Sequence, residues 1–265
     1  MSEAFRDFSV SLQGVTKAFA SGVVALDRFN LDLWPGEFVS LLGPSGCGKS
    51  TALRLIAGLT EPTRGTVSYQ GAVKSSAVET AQGRIGFVFQ EPTLMPWATV
   101  ARNVSLPLDL HRRDGVAAES RVGAALRQVG LDGFAQAYPR ELSGGMRMRV
   151  SIARALVTQP ALLLMDEPFA ALDEITRFKL NDDLIALWRA AQRTVVFVTH
   201  SVFESVYLSE RVVVMTSRPG RVFSELKIDA PYPRDRLFRT SARYVALCRE
   251  VSEALAEASA RGGRA

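Results

Sequence analysis

The chain has 265 residues, 47% of them hydrophobic, enough to bury a full core in one large domain or in a core carrying an inserted subdomain. No run of about 18 apolar residues is free of charge, which argues against a membrane-spanning helix, and Met1-Ser2-Glu3-Ala4-Phe5-Arg6-Asp7 has acids where a secretory signal would begin with a basic stretch. The net charge of +5 is spread along the chain without basic runs interleaved with aromatics, so no nucleic-acid partner is expected; an acidic partner surface or lipid headgroups are the alternatives to a solvated basic face.

From Phe8 to Trp34, short apolar runs (Val10, Leu12, Val15, then Leu26, Phe29, Leu31, Leu33) close on Pro35-Gly36 and predict antiparallel strands. Phe19, beside the Ala20-Ser21-Gly22 turn, is a candidate for stacking on a nucleotide base, with simple core packing as the alternative.

Phe38-Val39-Ser40-Leu41-Leu42 reads as a buried strand, and Leu53, Ile56 and Ala57 recur at helical spacing before Gly58. Between them lies Gly43-Pro44-Ser45-Gly46-Cys47-Gly48-Lys49-Ser50-Thr51, which satisfies G-x-x-x-x-G-K-S. A strand, a glycine-rich turn and a helix start aim backbone N–H groups and a helix dipole at one point, which suits polyphosphate. The glycines allow close approach, Lys49 reaches the β- and γ-phosphates, and the Ser50 hydroxyl can ligand Mg²⁺. The two cysteines, Cys47 and Cys248, are far apart, and a disulfide at Cys47 would obstruct the loop, so a reducing compartment is expected. Cys47 is read as a small residue filling a loop position; a thiol activated by the helix start and Lys49 is the alternative, in which alkylation would block nucleotide binding.

Two further strands are expected at Thr66-Val67-Ser68-Tyr69 and Ile85-Gly86-Phe87-Val88-Phe89, the second ending at Gln90, where open α/β sheets present side chains to ligand. From Glu91 to Pro160 the pattern turns helical, as at Val122, Ala125, Leu126 and Val129, and predicts an inserted subdomain. His111 has no metal-ligand companion at useful spacing and is expected to be solvated. Within this stretch Leu142-Ser143-Gly144-Gly145-Met146 supplies an N-cap serine and two glycines in a first turn, a second anion-directed helix start without a lysine.

Ala161-Leu162-Leu163-Leu164-Met165 is a continuous apolar strand ending in Asp166-Glu167, carboxylates that packing does not require. Asp166 is assigned to Mg²⁺ and Glu167 to polarising the attacking water. Thr194-Val195-Val196-Phe197-Val198-Thr199 ends at His200, and Ser201 with Glu204 forms an S-x-x-E capping box. A last strand pair flanks Pro219-Gly220, and Pro231 to Arg236 links to a helix with Tyr244, Leu247, Val251 and Leu255 on one face, expected to dock on the chain's own core. The Arg-Gly-Gly-Arg end is expected to fray.

Together these elements resemble the ATP-binding subunit of ABC transporters from about Phe8 to Leu226, with the motifs in the family order. Walker A resembles Gly43 to Thr51, the Q-loop Gln90, the signature Leu142 to Met146, Walker B Leu162 to Asp166, the catalytic glutamate Glu167, the D-loop Ala171-Leu172-Asp173 and the switch histidine His200. Phe19 falls where the family often has an adenine-stacking aromatic. The resemblance implies an α/β fold: a P-loop NTPase (RecA-like) core with an antiparallel β subdomain, spanning 1–230, a helical subdomain inserted at about 91–160, and a C-terminal helical extension at 231–265.

It also implies ATP and Mg²⁺, with Ser50, Gln90 and Asp166 at the metal and Phe19, Gly43, Pro44, Ser45, Gly46, Cys47, Gly48, Lys49, Ser50, Thr51 and Gln90 at the nucleotide. Ser143, Gly144 and Gly145 would complete the site from a second subunit of a head-to-tail dimer that closes on ATP and reopens after hydrolysis. Gln90 to Asn103 would contact a membrane permease, placing the chain peripherally on the cytoplasmic face of the inner membrane, and an external solute-binding protein would complete the importer. Two departures stand out: Met146 replaces the usual glutamine, leaving Ser143 as the only side-chain cap, and Ala170 stands where the family often has serine.

The stretch Phe89 to Trp97, with Thr199 to Ser205, looks most like importers of the nitrate, sulfonate and taurine group and the related pyrimidine-precursor transporters. The competing class, a soluble ABC-type ATPase of repair or translation, would carry a long coiled coil after Gln90 or two fused ATPase halves, and the sequence has neither.

Overall fold

The computed structural model describes residues 9–70, 84–110 and 116–262. The N-terminal heptapeptide, His111 and the last of the Arg-Gly-Gly-Arg residues lie outside the described residues. Packing divides the chain into two compact units, one of residues 1–81 and 192–265, the other of residues 82–191.

The first unit begins with β1 (Ser9–Ala18), β2 (Val24–Leu33), β3 (Phe38–Leu42), α1 (Lys49–Ile56) and β4 (Arg64–Gln70). The second holds β5 (Ile85–Val88), α2 (Val100–Leu110), α3 (Val116–Gln128), α4 (Gly144–Leu156), β6 (Leu162–Asp166) and α5 (Glu174–Ala191). The chain then returns to the first unit with β7 (Thr194–Thr199), α6 (Val202–Leu208), β8 (Arg211–Met215), β9 (Val222–Lys227), α7 (Arg236–Arg239) and α8 (Ala242–Gly262).

In the first unit β1 is the middle strand of an antiparallel sheet, flanked by β2 and β4. Alternation in β1 and β2 puts Val10, Leu12, Val15, Leu31 and Leu33 on the buried face, as the period of two requires. The second sheet of this unit runs β7-β3-β8-β9. β3 is parallel to both neighbours and all five of its residues are buried, which explains why it reads as an unbroken apolar run. The β8–β9 pair is antiparallel around Pro219-Gly220.

α8 buries Tyr244, Leu247 and Val251, with Leu255 half-buried, and packs on α6, β8 and β9, so the C-terminal helix covers its own unit's core. Arg234, in the link before it, is a buried guanidinium that donates to Val206 O (2.9 Å), Tyr207 O (3.0 Å) and Ser209 O (2.8 Å) at the end of α6 and to Ala230 O (2.9 Å). A cation there satisfies carbonyls that a helix end leaves open. Burial lowers its pKa.

In the second unit β5 and β6 are parallel, with Val88 opposite Met165. β6 is buried from Leu162 to Met165 and turns half-exposed at Asp166. Gly86 is required on β5: a Cβ would lie 2.7 Å from Ala155 O on α4. Among the described residues of 91–160 only helical elements occur, as the switch in periodicity predicts. No helix among the described residues is long and apolar enough to cross a membrane.

Candidate functional site

In the first unit the carboxyl edge of the parallel strands gathers the chemistry. Leu42, the last residue of β3, lies opposite Thr199 of β7 and Val214 of β8. Gly43, His200 and the turn after Met215 therefore leave the sheet at one edge, where open α/β sheets bind ligand.

The loop between β3 and α1 is held in a conformation that only glycine adopts cheaply. Gly46 has φ 73° and Gly48 φ 103°, and a Cβ on Gly48 would stand 2.7 Å from Ala25 O. Gly48 is also the N-cap of α1, so that helix starts without a side-chain cap and without an acid in its first turn. A helix start with these properties suits an anion. Lys49 is buried, and its ammonium donates to Gly43 O (2.9 Å) and Pro44 O (3.0 Å), folded across the same loop. The residues present thus fit a bound polyphosphate: glycine backbone, an uncapped helix start and one buried cation. Pro44 and Ser50 and Thr51 are half-buried, Ser45 and Gly46 exposed.

Cys47 is 1% exposed, which favours the small filler reading and gives an alkylating reagent no access. Phe19 sits in a turn closed by Phe19 N to Val23 O (2.9 Å), with its ring 44% exposed and the Lys17 ammonium 5.7 Å from the ring centre. The Lys17 ammonium lies over one face of the ring, and the residue's exposure leaves room for a planar partner only on the rest.

His200 is exposed and its two neighbours are fixed. The Ser201 N–H donates to Thr199 Oγ1 (3.0 Å), the Thr199 hydroxyl donates to the Glu204 carboxylate (2.6 Å), and Ser201 Oγ accepts from Glu204 N (3.3 Å). The expected capping box thus closes through Thr199, a refinement no S-x-x-E pattern predicts, and it brackets the histidine on both sides.

The second unit has its own carboxyl edge. Register places Phe89-Gln90 beyond β5, while Asp166 ends β6 and Glu167 follows it, with Gln90 exposed and both carboxylates half-buried. Glu167 has φ 46°, a left-handed conformation that costs about 1–3 kcal/mol and gathers at functional sites. The turn after it is closed by Ala170 N to Glu167 O (3.2 Å), and Asp173 then caps α5 by accepting from Thr176 N (2.9 Å). That backbone N–H holds the Asp173 carboxyl below its usual range.

Ser143 caps α4 as expected, accepting from Met146 N at 3.2 Å, and the side chain is exposed. Gly145 tolerates nothing larger: a Cβ would meet Thr176 Cγ2 at 2.7 Å. Gly144 is less constrained, its nearest neighbour a Leu172 carbon at 3.5 Å.

Two residues here were missed by sequence reasoning. Arg154, on α4, donates to Pro92 O (2.8 Å), Thr93 O (2.9 Å) and Thr93 Oγ1 (3.0 Å), holding Thr93 at φ 45° just beyond Gln90. Burial lowers the pKa of this guanidinium. Asn103, fully buried, accepts from Met95 N (2.7 Å) and donates to Met95 O, Ala98 O and Thr99 O. The only signal for either was a polar residue on an otherwise apolar helix face. Beside this pinned loop is a cavity of about 340 Å³ lined by Phe87, Phe89, Thr93, Pro107, Leu110 and Arg154, among others.

The ABC transporter family model matches residues 26–170. An uncharacterized ABC transporter ATP-binding protein of Methanocaldococcus jannaschii is 49% identical over 234 residues, covering 86% of this chain and 85% of that protein. The aliphatic sulfonates import ATP-binding protein SsuB 2 of Pseudomonas syringae pv. tomato is 48% identical over 241 residues, covering 91% of this chain and 94% of that protein. Among solved structures, a dimeric ATP-binding cassette in a post-hydrolysis state bound to ADP and Pi aligns with a TM-score of 0.73 and 37% identity, covering 84% of this chain and all of that one. Together with the strand, glycine loop and lysine of Walker A, these likenesses settle the family: the chain belongs to the ABC transporter family, as one of its ATP-binding ATPases.

Proposed function

We propose that this chain is the ATP-hydrolysing subunit that energises import of a small sulfonate-like solute through a separate membrane permease. The observation that carries the reading is the 48% identity over 91% of the chain to an aliphatic sulfonates import protein, with both carboxylates and the histidine of the ATPase motif present. Nitrate, taurine and pyrimidine-precursor-like solutes belong to the same group of candidates.

Bound ATP supplies the phosphoryl group that is cleaved, and Mg²⁺, when bound, would neutralise the charge that develops on it. The glycine loop and the α1 start bind the phosphates through backbone N–H groups, and the Lys49 ammonium exchanges loop carbonyls for phosphate oxygen. The Ser50 hydroxyl of the first unit and the Asp166 carboxylate and Gln90 amide oxygen of the second are each hard oxygen donors of the kind that would suit Mg²⁺. The Glu167 carboxylate orients the attacking water and accepts its proton. His200 donates a hydrogen bond to the phosphoryl group from a ring nitrogen, from a backbone position bracketed by the hydrogen bonds among Thr199, Ser201 and Glu204. The Phe19 ring takes the adenine face.

Ser143, Gly144 and Gly145 serve the nucleotide of a second copy, which accounts for a helix start built for an anion but lacking a lysine. The dimeric form of the similar cassette supports this reading. The cavity beside residues 91–103, mostly apolar with Thr93, Thr158 and Arg154 as its polar lining, receives a segment of the permease. We place the domain boundaries as the motifs imply, at 1–230 with the insertion near 91–160 and the helical extension at 231–265.

The test is reconstitution: the chain co-purified with its permease in vesicles, with solute uptake measured with and without ATP. ATP-dependent accumulation of a sulfonate that requires Glu167 supports the proposal. Uptake indifferent to ATP, or export only, contradicts it.

A further inference from the structure

The β8–β9 turn touches the phosphate loop, a contact the nucleotide motifs leave out. The turn is tightly closed on itself: Thr216 N donates to Arg221 O (3.0 Å), Arg221 N to Thr216 Oγ1 (3.0 Å), and the Thr216 hydroxyl to Pro219 O (3.0 Å). It is tied down on β2 through Gly220 N to Ala25 O (2.9 Å), Asp27 N to Gly220 O (3.1 Å), and the Arg221 guanidinium to the Asp27 carboxylate (2.9 Å). Against the loop it leaves no space: a Cβ on Gly220 would stand 2.0 Å from Cys47 O. From this platform Arg218, an exposed residue, donates Nε (3.3 Å) and Nη2 (3.2 Å) to Gly46 O.

We infer that Arg218 is a positioning residue for ATP, acting by holding the Gly46 carbonyl and so fixing the loop at residues 46–48. Gly46 and Gly48 are the residues with positive φ in this loop, and glycine loses more backbone freedom on ordering than any other residue, so the loop does not hold its binding shape by local preference. A guanidinium fork supplies two N–H donors to one carbonyl and neutralises a dipole that would otherwise face an approaching polyanion. Lys49 does the same from within, on the carbonyls of Gly43 and Pro44. Before nucleotide binds, the two cations thus occupy different carbonyls of the loop, and the ordering that Arg218 adds raises affinity without touching the hydrolytic groups.

The inference rests on the ATP reading of the loop, and the experiment separates the two. Amide hydrogen exchange of residues 43–51 is measured in nucleotide-free wild type, Arg218→Ala and Arg218→Lys, alongside ATP affinity by titration with a fluorescent ATP analogue and kcat at saturating ATP. Arg218→Ala is expected to speed exchange at 46–48 and to weaken ATP affinity about 5-fold, the size of one charge-assisted hydrogen bond at an exposed site, with kcat within about twofold. Arg218→Lys, keeping the charge without the fork, is expected to recover less than half of the loss. Wild-type exchange and affinity in Arg218→Ala, or a fall in kcat at unchanged affinity, overturns the inference. If wild type itself binds no ATP, the nucleotide reading fails, while faster exchange in Arg218→Ala still upholds the clamp on the loop.

Discussion

Two helices of this chain start at glycines, yet they are built differently. α1 starts from a left-handed Gly48, has no side-chain cap, and buries Lys49 against its own loop. α4 starts from Ser143, whose hydroxyl already serves Met146 N, and its first turn holds no lysine. The first is equipped to bind a phosphate with its own residues. The second has a satisfied cap, and the Arg147 guanidinium of its first turn is turned back onto Leu142 O (2.7 Å), which fits the proposal that it adds to a phosphate already held rather than capturing one. The proposed head-to-tail meeting of two copies would use one of each.

Changing one helix start at a time, or the chemistry without either, breaks the comparison open. Glu167→Gln should lower turnover about 10³-fold while both helix starts stay intact, because the residue loses its proton-accepting oxygen and keeps its shape. It should bind ATP and accumulate as a dimer on gel filtration; wild-type turnover in a phosphate-release assay would remove Glu167 from its role. Lys49→Ala should weaken ATP binding about 100-fold by titration, since a buried charge-assisted contact to phosphate is lost; unchanged affinity would refute the contrast between α1 and α4.

Gly145→Ala should destabilise the protein by about 1–3 kcal/mol, because its Cβ would lie 2.7 Å from Thr176 Cγ2, whereas Gly144→Ala, meeting its nearest neighbour at 3.5 Å, should be tolerated in the same denaturation experiment. Ser143→Ala should cost about 1 kcal/mol through loss of the N-cap, a penalty with no counterpart at α1 because Gly48 offers no side chain. Equal effects on the two glycines, or none at Ser143, would mean that α4 does not rest on the contacts described.

Much of this was legible before the structure, for reasons the residues make plain. The strand from Phe38 to Leu42, the glycine loop and α1 are local, and local periodicity and turn chemistry specify them. The same holds for Ser143 as a cap, the carboxylates ending β6, and Tyr244, Leu247 and Val251 on the buried face of α8. What escaped is non-local. β4 pairs with β1 across some fifty residues, and Arg218 reaches Gly46 across 172 positions. No pattern within one element encodes such a partner. Asn103 and Arg154 escaped for a related cause: a polar residue on a helix reads as solvated until the loop it secures is folded against it. The Thr199 relay shows the finer limit, since the S-x-x-E pattern names the cap and not the hydroxyl through which it closes.

The central claim, that the α1 site of one copy is completed by the α4 start of another, is tested most directly by mixing Lys49→Ala chains with Ser143→Arg chains and counting ATP trapped per dimer. In the mixed dimer one site is doubly damaged and the other pairs an intact Lys49 with an intact Ser143. The account predicts one trapped ATP per mixed dimer and none in either variant alone; a mixture that traps none, or two, would contradict it.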